Sequence, residues 1–156
     1  MRDERVPQMA GAEEVVALIE LRDGVEYSGL VLNERSWERF AAVGVLNRVN
    51  VTFGATESFN RKNGNASLDD ALAQADSILE LAGGTPATVT ISVSFGCPFE
   101  GKVDPGMVVE LAARFAGRAE VVLADTIGVA TPSAVRALVT QTGASGFHGH
   151  NTRNTG

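Results

Sequence analysis

A chain of 156 residues can bury one real core, and with 44% hydrophobic and 21% charged residues it has the composition of a folded domain, not of a disordered tail. Its net charge of −6 disfavours phosphate backbones, so no nucleic acid is expected as a partner. No apolar run approaches the roughly 20 residues that cross a bilayer, so no membrane partner is expected either.

The start, Met1-Arg2-Asp3-Glu4-Arg5, is charged and leads into no apolar segment of a signal peptide. The single cysteine, Cys97, cannot form an internal disulfide, and both features fit a cytoplasmic location. The spacing of apolar residues predicts a helix over residues 12–21 and a strand over 27–32. Asn33 is a good N-cap for a helix over 34–43. Residues 48–53 read as a Val-rich strand. Residues 54–65 read as a polar, glycine-bearing loop. Ser67 then caps a helix over 68–81, with Asp70 at its N3 position. A β-branched strand follows over 88–94. Asp104-Pro105 opens a helix running to residue 115, with proline at its favoured first position. A short apolar strand covers 120–124. Thr131-Pro132 opens a helix to residue 140, and a last strand covers 146–150.

Near-continuously apolar strands separated by helices imply a parallel sheet covered on its faces. A doubly wound sheet and an eight-stranded βα barrel both satisfy this. The barrel is favoured because polar and glycine-bearing segments follow the strands, at 54–65, 94–102, 125–128 and 148–154. In a barrel those loops share one face and build the active site. No Gly-x-Gly-x-x-Gly fingerprint follows any strand, which weakens a dinucleotide-binding reading. A complete barrel takes about 250 residues, so the expected fold class is α/β, a partial TIM (βα)8 barrel with about five of eight units and parallel strands. Its two open edges would invite a homo-oligomer.

Four segments carry candidate chemistry. His148 and His150 sit two apart on a strand, so their imidazoles share a face and could grip one metal ion; a plain surface pair is the alternative. Asp125, directly after a strand, either faces the barrel mouth or caps the next turn. Cys97 reads as a structural thiol, and Glu100 as a base or a surface charge. The polar, basic run Asn60-Arg61-Lys62-Asn63 suits an anionic tail such as the phosphates of coenzyme A, or is a solvated turn.

The stretches Val6-Pro7-Gln8-Met9, Phe59-Asn60-Arg61-Lys62-Asn63, Gly96-Cys97-Pro98-Phe99-Glu100-Gly101, Asp125-Thr126-Ile127-Gly128 and His148-Gly149-His150-Asn151-Thr152 together resemble the 3-hydroxy-3-methylglutaryl-CoA lyase family, in its order and nearly its spacing. The wider superfamily includes condensing enzymes and aldolases acting on 2-oxo acids. The Gly-Cys-Pro-Phe-Glu-Gly loop points to the lyase branch.

The resemblance implies cleavage of an acyl-CoA substrate, 3-hydroxy-3-methylglutaryl-CoA, to acetyl-CoA and acetoacetate with Mg²⁺ or Mn²⁺. It implies His148 and His150 as metal ligands, with His148 also near the proton transfer. Asp125 would stand in or just outside the metal's ligand shell, and Lys62 and Asn63 near the coenzyme A moiety. It further implies that residues 1–156 form one partial barrel domain, without the family's first two strands and its last. The family's first-strand Arg-Asp pair, its second-strand glutamate, its cysteine loop and its metal-binding asparagine have no counterpart. Arg2-Asp3 matches the pair in letters only. Little or no turnover is therefore expected of this chain alone.

Overall fold

The computed structural model describes residues 10–150. The segments Val6-Pro7-Gln8-Met9, Arg2-Asp3 and Asn151-Thr152 lie outside them. Five strands, β1 (Ser28–Val31), β2 (Arg48–Gly54), β3 (Ala87–Ser92), β4 (Glu120–Asp125) and β5 (Gly146–Gly149), form one sheet in the order β1-β2-β3-β4-β5. Every neighbouring pair is parallel. Right-handed crossovers between strands whose order never reverses put the long helix of each crossover on one face. A doubly wound sheet would need a reversal. The arrangement is the arc of a βα barrel.

Alternation along the strands separates the two faces. Val49, Val51 and Phe53 of β2, Val89 and Ile91 of β3, and Val121 and Leu123 of β4 point to the helices and are buried. They meet Ile78 of α4 (Leu68–Ala82), Phe115 of α5 (Pro105–Phe115) and Leu138 of α6 (Pro132–Thr142). Complete burial of a side chain such as Ile91 stabilises by roughly 1.5–3 kcal/mol relative to exposure.

The inner face is polar instead. Thr90 donates to Asn50 at 3.0 Å, and Thr52 donates to the Thr90 carbonyl at 3.0 Å. At the strands' N-terminal end Arg48 pairs with Glu26 at 3.0 Å and Glu120 at 3.1 Å and donates to Thr88. The Glu26 hydrogen bond, opposed by burial and reinforced by Glu120, raises the Arg48 pKa above its ordinary value. That cation ties the segment ahead of β1 to β2, β3 and β4 below the site.

The helix caps form as the sequence suggests. Asn33 and Ser36 make a reciprocal box on α2 (Glu34–Val43), and Ser67 and Asp70 do the same on α4. Across the helix layer Asp76 of α4 receives Arg114 and Arg118 at the end of α5. Burial pushes the Asp76 carboxyl up, but hydrogen bonds from Arg118 and Arg114 outweigh it and hold the pKa below the ordinary value.

Two expectations need correction. The helix expected over residues 12–21 is α1 (Ala12–Ala17) and stops four residues early. It buries no residue, and Gly11 at its N-cap has no side chain to cap it, so no buried face prolongs it. The stretch 54–65, expected as a loop, contains α3 (Glu57–Gly64). Glu57 and Arg61 form an i,i+4 ion pair at 2.5 Å. Acid in the first turn and base in the last also suit the helix dipole.

Candidate active-site mouth

All the functional candidates lie at or beyond the C-terminal ends of the strands, the end where barrel active sites form. The mouth is built by loops that fasten one another.

Asn60 of α3 is 5% exposed, and its amide clamps the end of β2. Oδ1 accepts the Gly54 N–H at 2.8 Å, while Nδ2 donates to the Gly54 and Thr56 carbonyls at 2.8 and 2.9 Å. The N-terminus of α3 is capped from a distance. Thr56 occupies the N-cap but gives its hydroxyl to Cys97 Sγ at 3.1 Å, and Glu100 accepts the Ser58 N–H at 2.8 Å in its place. Cys97 is buried, and its backbone exchanges two hydrogen bonds with Gly101, closing loop 97–101 into a tight ring. Phe99 lies under the Lys62 ammonium, 4.7 Å from Nζ to the ring centroid. The basic run and the Gly-Cys-Pro-Phe-Glu-Gly loop are thus one interlocked unit. Cys97 and Glu100 serve as its fasteners.

The same loop is stitched to β4. Gly96 passes so close to Val129 that a Cβ there would lie 2.7 Å from its methyl carbon. Val93, just after β3, adopts φ 53°, a left-handed conformation costly for a β-branched residue. The Thr126 hydroxyl accepts the Val93 N–H at 2.8 Å, and the Ala124 carbonyl accepts the Ser94 N–H at 3.0 Å.

Asp125 is 4% exposed. Its carboxylate accepts the N–H groups of Val129 at 2.9 Å and Ala130 at 2.8 Å, so it folds the loop ahead of α6. Its backbone carbonyl accepts the His150 N–H at 3.3 Å.

His148 pairs in register with Ala124 on the inner face. Its ring and that of His150 lie side by side, with centroids 4.6 Å apart and planes 14° from parallel. Both are exposed. The structure therefore gathers His148, His150 and the Asp125 backbone at one corner of the mouth. It leaves Lys62 and Asn63 on the exposed side of α3, which packs on β2, three strands along the sheet from β5.

The donor set decides what the pair can hold. Two imidazoles on one face supply two of the donors of an octahedral cation, which takes its remaining donors as oxygen from water, substrate or carboxylate. Among the described residues no group of three His, Cys, Asp or Glu comes together. The pair fits part of such a site.

The sequence reading missed the clamping role of Asn60 and the helix carrying it. The available signal was the Glu57–Arg61 spacing after Thr56.

A family model described as HMGL-like matches residues 13–156. The chain is 41% identical over 138 residues to a 3-hydroxy-3-isohexenylglutaryl-CoA/hydroxy-methylglutaryl-CoA lyase of Pseudomonas aeruginosa, covering 86% of this chain and 46% of that protein. It is 35% identical over 139 residues to the mitochondrial hydroxymethylglutaryl-CoA lyase of Rattus norvegicus, covering 86% of this chain and 42% of the relative. Among solved structures, an HMG-CoA lyase from Acinetobacter baumannii, in complex with coenzyme A and 3-methylmalate, superposes with a TM-score of 0.91 at 28% identity. That match covers all of this chain and 54% of the other. The chain thus spans about half the length of the relatives it matches.

Proposed function

Because the chain belongs to the HMGL-like family, we propose that it forms the central part of a divalent-metal-dependent carbon–carbon lyase. The reaction is cleavage of 3-hydroxy-3-methylglutaryl-CoA to acetyl-CoA and acetoacetate. The observation that carries the reading is the side-by-side pair of imidazoles at the barrel mouth, on the strand paired with the one that ends in Asp125.

In this reading His148 and His150 hold Mg²⁺ or Mn²⁺, which when bound supplies Lewis-acid polarisation of the substrate's oxygens. His148, on the inner face, also takes part in the proton transfer. Asp125 acts as a positioning residue: its carboxylate shapes the loop and its carbonyl holds the backbone of His150. Lys62 and Asn63 offer a cation and an amide to the coenzyme A tail. The five strands occupy the third to seventh positions of the eight. The protein works in the cytoplasm. No helix among the described residues is long and apolar enough to cross a membrane. Open edges at β1 and β5 would let copies associate, which sedimentation would show as a dimer.

The test is isothermal titration of Mn²⁺ into the chain and into His148→Ala. Binding by the parent that is lost in the variant supports the site. Equal binding by both would remove His148 from it.

A further inference from the structure

On the inner face, the layer that contains His148 is otherwise made of small residues. Ile91 pairs with Leu123, so the next residue, Ser92, stands level with Ala124, which itself pairs with His148. On the other side Ser92 pairs with Gly54. One layer of the barrel therefore reads Gly54, Ser92, Ala124, His148 across β2 to β5. A Cβ on Gly54 would lie 2.5 Å from the Phe59 ring, so Phe59 fills that side. Between Phe59 and His148 the floor is Ser92 and Ala124, two of the smallest side chains. The strands bearing Ser92 and His148 lie two spacings apart, about 10 Å.

The hydroxyls on this floor are not equivalent. Thr52 has one proton and directs it at the Thr90 carbonyl, 3.0 Å away. The Thr52 and Ser92 oxygens are 3.2 Å apart, and while Thr52 gives its proton to Thr90, Ser92 is the donor in that contact. Thr90 directs its own proton at Asn50. Ser92 is partly exposed, whereas Ser94, the next serine along, is buried with its hydroxyl on the Ile91 carbonyl. Thr90 is buried, so of Thr52, Thr90, Ser92 and Ser94 it is Ser92 that is both partly exposed and free of a backbone acceptor for its proton.

We propose that Ser92 is a specificity-determining residue, donating its hydroxyl to an anionic oxygen of a branched hydroxy-acid group held beside His148. The inference rests on the lyase reading and goes beyond it by naming the group that selects the acyl carboxylate.

The experiment uses the chain and its Ser92→Ala variant. Each is titrated with Mn²⁺ by calorimetry. Each is also titrated, with Mg²⁺ present, with 3-hydroxy-3-methylglutarate and its neutral dimethyl ester, followed by amide NMR shifts. The expected result is Mn²⁺ binding by both chains, diacid binding by the parent in preference to the ester, and about tenfold weaker diacid binding by the variant. The intact Mn²⁺ response shows that the variant is folded. Equal diacid affinity in parent and variant would overturn the role of Ser92 and leave the lyase reading standing. A parent that binds Mn²⁺ but not the diacid would overturn the subsite while sparing the metal pair. A parent that binds neither would overturn both.

Discussion

Replacing Asn60 by alanine removes three hydrogen bonds at the root of the mouth, two on Gly54 and one on Thr56. Asn60 is 5% exposed, so water does not simply take the place of the amide. The Thr56 carbonyl keeps a partner, because it also accepts the Asn60 N–H. Losing that bond costs about 0.5–1 kcal/mol, whereas the Gly54 N–H and C=O each lose a side-chain partner in a buried setting, at about 1–1.5 kcal/mol apiece. The expected loss is about 2.5–4 kcal/mol. For a domain of this size it lowers the melting temperature by roughly 5–15 °C. Urea unfolding followed by circular dichroism gives the value directly, as a lower midpoint with an unchanged slope. Asn60→Asp sharpens the test. It keeps the acceptor for Gly54 but points lone pairs at two carbonyl oxygens. Its deficit should therefore shrink as pH falls and the new carboxyl takes up a proton. A loss below about 1 kcal/mol in the alanine variant, or a pH-independent deficit in the aspartate one, would refute the clamp.

Asp125→Asn keeps one acceptor for two N–H groups, and amide exchange at Val129 and Ala130 should speed up about tenfold, consistent with a loss of about 1–2 kcal/mol. Ser67→Ala opens the reciprocal cap of α4 and should cost about 1 kcal/mol in urea unfolding. Asp76 has a folded pKa held below its unfolded one, so its contribution is fully present above the unfolded pKa and fades as pH falls through the folded one. Because its arginine partners are 48% and 40% exposed, that contribution is about 1 kcal/mol after screening. Asp76→Asn should lose it near neutral pH and show a flatter stability profile in acid, measured by thermal melts across pH. With His148→Ala in the metal titration, these variants probe the loop, the helix layer and the site separately.

How much was legible from sequence alone depended on whether the information was local. Helix α2 began at Asn33 and α5 at Pro105, where the sequence put them, because a cap acts within three residues of itself. The parallel sheet followed from strand composition, since strands that receive helices on one face must be apolar there. Two residues apart on a strand means one face, and His148 and His150 do lie side by side. Helix α3 escaped notice because its cap comes from Glu100, 42 residues from the N–H it accepts, and no local pattern announces a borrowed cap. The alternatives left open for Asp125 could be separated only by seeing where its carboxylate goes, which is to the backbone of Val129 and Ala130. The sequence by itself determined the order of elements and the pairing of the two imidazoles, because both are set by short-range periodicity. Only the tertiary structure decided which polar side chains fasten the loops, because that depends on partners distant in the chain.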